Sequence, residues 1–354
     1  MIGENKPFTS TVVGSMPRPE FVRDLLKPET RQDLDDAEFS RRLDAAVAYV
    51  VAMQEAAGID IISDGEWRRL SYIGIIADIC DGFEVSYRGN QPWTIVTKPI
   101  SSRNPGLVAK EASFIRQHSR CEPKVALPSP YLLGQRMWDA EMSRASYPTR
   151  EAFMRDLIPV LRGELQALRE EDIRHVQFDD PHLCLFVDER VRNQYEDPER
   201  EMHLCVDLLN EILDGFEDLN TAIHLCRRNK GRDGWVGEGG YEPIMDCLKQ
   251  LSVKAYMLEF AIPVAGDYDV LREIPEDRAI GLGCVDCRSE RVDTPEEIVT
   301  RVEKALRFVH PERLFIHPDC GFAPGSAADI PIDEAYRKLC NEAAASEILR
   351  EKYG

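Results

Sequence analysis

Apolar and polar positions along this chain follow two periods that take turns from one end to the other. Short runs such as KVALPSP, TAIHLC, VKAYMLEF, AIGLGCVD and RLFIHPDC are apolar almost throughout, as strands buried on both faces are. Between them lie longer stretches with apolar residues at three- and four-residue spacing. LDDAEFSRRLDAAVAYVVAMQEAAG, LVAKEASFIRQHS, TREAFMRDLIPVLRGELQALREED, EREMHLCVDLLNEILDGFED and IDEAYRKLCNEAAASEILREKY read as helices with one apolar face. TPEEIVTRVEKALRFV opens with a capping sequence, and Gly58 stops the helix before it.

Adding FTSTVVGS, IDIISDGEW and IRHVQFDDP gives eight strand signals, nearly all followed by a helix. That grammar predicts an α/β fold, a (β/α)8 TIM-type barrel, with residues 1–354 as one domain. A doubly wound open sheet is the alternative, but no G-x-G-x-x-G follows the first strand. One stretch breaks the rhythm: FEVSYRGNQPWTIV reads as a β-hairpin excursion around residues 83–97, turning near Gly89-Asn90.

The barrel reading sorts the polar residues. Ser15, Asp64, Glu66, Asp179, Asp180, His224, Cys226, Glu259, Asp286 and Cys320 all fall at the C-terminal ends of strands. In such barrels that rim carries the active site. Four of them offer metal ligands: His224 and Cys226, then Glu259, then Cys320, with gaps of 33 and 61 residues from Cys226 to Glu259 to Cys320. Spacing this wide belongs to a site assembled by the fold, since zinc-finger ligands come in close pairs. Taken singly, Cys226 and Cys320 read more readily as buried thiols and His224 as a core imidazole; the site is read from the constellation. A carboxylate such as Glu259 inside an apolar run is costly to bury without a positive partner, which favours the set. Two thiolates, a carboxylate and a neutral imidazole leave Zn2+ with a net charge of about −1, a poor activator of water. Such a zinc suits a different task, holding a substrate thiol as thiolate.

Composition narrows the partners. The net charge is −19, which argues against nucleic acid and anionic membrane. No apolar stretch is long enough to span a bilayer, and MIGENKPFTS lacks a leader pattern, so a cytoplasmic protein is expected. Ten cysteines in a reducing compartment read as thiols or ligands, and Cys284-x-x-Cys287 lacks a partner pair. Arg68 and Arg69 read equally as an anion site or as surface ion pairs, while His182 and His317 flank the site motifs. The glycine-rich stretch RRNKGRDGWVGEGGYEP after the HLC motif reads as a lid.

The stretches TVVGSMPRP, ISDGEWRR, VQFDDP, HLC, MLEF and HPDCGF occur in this order over nearly the whole chain. Together they resemble the catalytic barrel of the cobalamin-independent methionine synthases, most closely the short single-barrel members. The resemblance implies zinc held by His224, Cys226, Glu259 and Cys320, and homocysteine contacted by Ser15, Glu66 and Asp179. It also exposes two departures. Arg288, in Asp286-Cys287-Arg288-Ser289, stands where the family has a catalytic histidine, and Arg136 falls near the place of a tryptophan tied to the folate ring. The catalytic candidates on the donor side are therefore Arg288, Asp286 and His182. The expected partners are a small thiol and a methyl or alkyl donor. Transfer of a methyl group to homocysteine leads. Alkylation of a coenzyme M-like thiol by an epoxide or other electrophile, and a non-catalytic zinc- or thiol-binding role, are the alternatives.

Overall fold

The computed structural model describes residues 6–69, 71–88, 91–323 and 330–354. Nine strands occur among them: β1 (Ile61–Ile62), β2 (Cys80–Arg88), β3 (Gln91–Ser102), β4 (Glu122–Pro128), β5 (His175–Asp179), β6 (Asn220–Leu225), β7 (Ala255–Glu259), β8 (Ala279–Val285) and β9 (Leu314–Pro318). Seven form one sheet in the order β1-β4-β5-β6-β7-β8-β9, every neighbour parallel. The sheet curls until its two edges meet across the segment around Ser10 and Thr11. Ser10 bridges to Ile316 and Thr11 to Ile61, and Phe8 N–H donates to the Leu314 carbonyl at 2.9 Å. That segment takes the eighth place and closes a TIM-type barrel.

The first two members are shorter than FTSTVVGS and IDIISDGEW suggest, because side chains take their backbone groups. Asp60 Oδ2 accepts from Ser10 N–H at 2.8 Å. Gln54 accepts from Ser63 N–H through Oε1 and donates to the Ser63 carbonyl through Nε2. The stretch 149–172, expected as one helix, is two, Arg150–Asp156 and Ile158–Glu170. Pro159 explains the break, having no N–H to continue the ladder across Leu157. The hairpin is present as antiparallel β2 and β3, longer at both ends than residues 83–97. Its expected turn at Gly89-Asn90 lies outside the described residues.

Alternate residues of each strand serve different layers. Val176, Phe178, Ile223, Leu225, Tyr256, Leu258, Ile280 and Ile316 join the large core under the helices. Val13, Ala222, Ala255, Met257 and Phe315 form a separate apolar layer inside the barrel. The same alternation carries Lys124, Gln177 and Asp179 inward, where Lys124 Nζ donates to Gln177 Oε1 at 2.8 Å and Gln177 Nε2 to Asp179 Oδ1 at 2.7 Å. No helix among the described residues is long and apolar enough to cross a membrane.

Gln54 links the fold to the rim. Fully buried on helix Asp36–Ala57, it pins Ser63, from which the chain runs on to Asp64 and Glu66. Gln54→Leu leaves the Ser63 N–H and carbonyl unpaired and is expected to cost about 1–3 kcal/mol of stability. A urea-unfolding midpoint measures it.

Candidate metal centre

His224 is the second-to-last residue of β6, with its ring inside the barrel because it lies two residues from inward-facing Ala222. Cys226 continues that face just beyond the strand. Glu259 ends β7, and Cys320 follows β9 by two residues. Register brings these ends level: Asp179 pairs with His224, His224 with Met257, and Glu259 with Gly283. One ligand atom from each of His224, Cys226, Glu259 and Cys320 lies within 4.8 Å of the other three. The two Sγ atoms are 3.3 Å apart, and the contact with Cys226, ahead of burial, pushes the Cys320 thiol up.

The polar atoms at this point lack what burial demands. Both ring nitrogens of His224 and Oε2 of Glu259 are buried without a hydrogen-bond partner among the described residues. Arg227 Nη1 lies 3.7 Å from that oxygen. Burial, then the neighbouring His317, hold His224 well below the ordinary imidazole value, so it is neutral and able to donate a lone pair. Two soft sulfurs, one imidazole and one carboxylate at mutual contact fit a tetrahedral Zn2+.

The centre opens into a cavity of ≈ 370 Å³ whose wall includes Ser15, Glu66, Asp179, His224, Cys226 and Cys320. The three residues expected to touch an amino acid therefore share one space with three of the four expected ligands. Glu259 lies behind the wall at 0 % exposure. Ser15 comes in because Gly321 has no side chain: a Cβ there would sit 2.2 Å from Ser15 Oγ. Glu66 holds a left-handed φ of 58° in the D-G-E turn, with Asp64 Oδ1 accepting its N–H at 2.9 Å. Burial pushes the Glu66 carboxyl up, and burial followed by Glu66 pushes Asp179 to about 7. Asp180, on the opposite face, caps helix Pro181–Leu185 and accepts from Ser129 Oγ at 2.7 Å.

The donor-side candidates sit elsewhere. None of Arg288, Asp286 and His182 lines this cavity. Asp286 Oδ1 accepts from Arg288 N–H at 2.8 Å, a turn that sends the Arg288 side chain inward. There Arg288 Nη2 donates to Glu259 Oε1 at 2.8 Å, and Nη1 lies 3.3 Å from Asp319 Oδ2. His182 packs edge-on against Tyr131, and burial lowers it to about 3. His317 is buried with Nδ1 2.6 Å from the Pro318 carbonyl oxygen. Arg68 pairs with Asp44 at 2.7 Å, and Arg69 is buried against Glu111. Cys284 faces the His317 carbonyl, and Cys287 accepts from Asn229 Nδ2 at 3.4 Å.

Sequence reasoning passed over Arg18, Tyr72, Arg228 and Asn229, which also line the cavity. Arg228 and Asn229 begin the glycine-rich stretch after HLC. That stretch is tied down by Asn229 to the Gly321 carbonyl, Arg232 to Glu334, and Arg227 to Tyr241 and the Gly239 carbonyl. A larger cavity of ≈ 800 Å³ opens at the other end of the barrel, among Thr9, His175, Asn220 and Leu314. It holds none of the four clustered ligands.

A family described as cobalamin-independent synthase, catalytic domain, matches residues 8–345. The chain belongs to the cobalamin-independent methionine synthase family. It is 28% identical over 351 residues to a methionine synthase of Pyrococcus abyssi, covering 97% of this chain and 93% of that one. It is 25% identical to the Bacillus subtilis protein YxjH, covering 93% of this chain and 90% of that one. Its fold superposes with a TM-score of 0.78 on a B12-independent methionine synthase from a Shewanella species in complex with selenomethionine. That structure is 23% identical, with 98% of both chains covered.

The raised Asp179 carboxyl has a consequence for stability. Its folded value of about 7 lies above the roughly 4 of an unfolded aspartate, so ionising it opposes folding, increasingly so from pH ~4 to ~7. Asp179→Asn keeps an oxygen for Gln177 and removes that cost. The metal-free variant is expected to melt higher than the wild type at pH 8 and to match it near pH 3.5, by calorimetry.

Proposed function

We propose that this enzyme transfers a methyl group to the thiol of homocysteine, with His224, Cys226, Glu259 and Cys320 holding a zinc ion and residues 1–354 acting as one catalytic barrel. Membership of the methionine synthase family supports methyl transfer to homocysteine. The observation that carries the finer reading is the meeting of four ligand atoms within 4.8 Å beside a cavity that also holds Glu66 and Asp179. Zinc bound there supplies one thing, a thiol held as thiolate at neutral pH.

The chain's own residues do the rest. Glu66 and Asp179 face an amino acid's ammonium group, whose arrival favours their ionised forms against the burial that raises both carboxyls. Ser15 Oγ accepts from Ala323 N–H at 3.3 Å and stands at the cavity wall for the substrate's polar end. Glu259 is the hardest of the four donors and would be the one to give way to an incoming sulfur.

The donor side differs from the histidine-bearing members. Arg288 stays protonated at any working pH and cannot cycle a proton. Methylfolate needs its leaving nitrogen protonated, a general-acid task that contributes roughly 10²–10⁴-fold. His182, held neutral, does not replace the missing acid. A donor that is already activated suits this site better. A second reading, alkylation of a coenzyme M-like thiol by an epoxide or another electrophile, is favoured by Arg228. It lines the cavity without an ion pair among the described residues and would meet an anionic thiol.

Metal analysis is expected to find about one zinc per chain, lost or greatly weakened in Cys226→Ser and Cys320→Ser, because serine is a far weaker zinc ligand. Full occupancy in both variants would end the zinc reading. The reaction is tested by offering homocysteine and coenzyme M with methylcobalamin, polyglutamyl methylfolate and epoxides, with products read by mass spectrometry. Methionine from methylcobalamin, with little from methylfolate, is the expected result. Glu66→Gln is expected to weaken homocysteine by about 1.5–3 kcal/mol and leave coenzyme M unchanged.

A further inference from the structure

Arg288 does more than vacate a histidine's place. Its guanidinium forks between two carboxylates that are both fully buried, Glu259 and Asp319. Asp319 is itself fixed, because its Oδ1 accepts from Phe260 N–H at 2.9 Å and Ala261 N–H at 2.8 Å, the two residues after Glu259. Gly283 leaves the room this needs, as a Cβ there would lie 2.6 Å from Asp319 Oδ1. Behind Glu259, Arg227 approaches Oε2 at 3.7 Å, held by the Tyr241 hydroxyl that also accepts Glu259 N–H. Of the four clustered donors, Glu259 is therefore the one with two places to rest its charge: toward the sulfurs and imidazole, or against a guanidinium.

A carboxylate already shared with guanidinium groups is a weaker metal ligand, and once displaced it is not left as an unpaired buried charge. We infer that Arg288 is a positioning residue that acts through Glu259, holding Oε1 so that this ligand yields to the incoming thiol and receiving the displaced carboxylate. The inference rests on the zinc reading above. The exchange balances: Glu259 gives up one contact, a thiolate sulfur takes its place, and the thiol proton leaves to solvent. Arg288 stays protonated throughout.

The test uses the holoprotein loaded with Co2+, whose absorption spectrum reports ligand exchange, titrated with homocysteine. Arg288→Gln is expected to keep one metal per chain and bind homocysteine roughly ten- to a hundredfold more weakly, because Glu259 is no longer drawn away. Arg288→Lys, which keeps the charge but loses the fork, is expected to restore part of the affinity. In a Glu259→Gln background, adding Arg288→Gln is expected to change the affinity by less than about twofold, since the two act as one unit. Unchanged thiol affinity in Arg288→Gln and Arg288→Lys, or an equal loss in both backgrounds, overturns the inference while the zinc reading stands. A wild type that takes up no metal, or whose cobalt spectrum ignores homocysteine, overturns the zinc reading and the inference with it.

Discussion

A carboxylate with no exposure to water dictates much of the rim of this barrel. Glu259 closes an apolar strand, and placing its charge there is costly unless opposite charge surrounds it. The chain supplies that charge from both flanking connections: Arg227 after β6 and Arg288 after β8. Asp319, after β9, balances the second cation. Each of these residues leaves its strand at the same end, so the parallel barrel delivers them to one depth. The glycine at position 283, the Asp286 turn and the Tyr241 hydroxyl all serve this cluster.

The second organised charge is the pair Glu66 and Asp179, which share the cavity and whose burial outweighs the nearby Arg69 and Lys124. Burial raises both carboxyls, and the chain Lys124–Gln177–Asp179 fixes one of them by hydrogen bonds. Stability is thereby given up at a place where an ammonium ion would restore it, which is a common arrangement of a binding site. The apolar layer of Val13, Ala222, Ala255, Met257 and Phe315 lies deeper in the barrel, on the inward positions that precede the ligands along the strands. The strand ends hold the chemistry; the strand middles hold the shape.

The order of elements and the identity of the candidate ligands were legible in the chain itself. Period-two and period-3.6 patterning depends on neighbours a few residues away, so buried strands, amphipathic helices and the hairpin of β2 and β3 could be read locally. The eight-fold count followed, and with it the rim on which His224, Cys226, Glu259 and Cys320 would meet. Local signals failed where side chains compete with the backbone: Gln54 and Asp60 shorten the first two barrel members, and Pro159 splits a helix.

What only the tertiary structure decided is which polar residues face which partner. Asp179 turns to the cavity and Asp180 to a helix cap, although both stand at the same strand end. Arg227 points into the Glu259 cluster and Arg228 into the cavity, from adjacent positions. Arg288, which sequence position offered as a donor-side group, is committed to Glu259 and Asp319. The partners lie 29 and 31 residues from Arg288 along the chain. Sequence sets a residue's charge and period, but pairing energy depends on distances of a few ångströms between strands, which closure of the barrel alone determines.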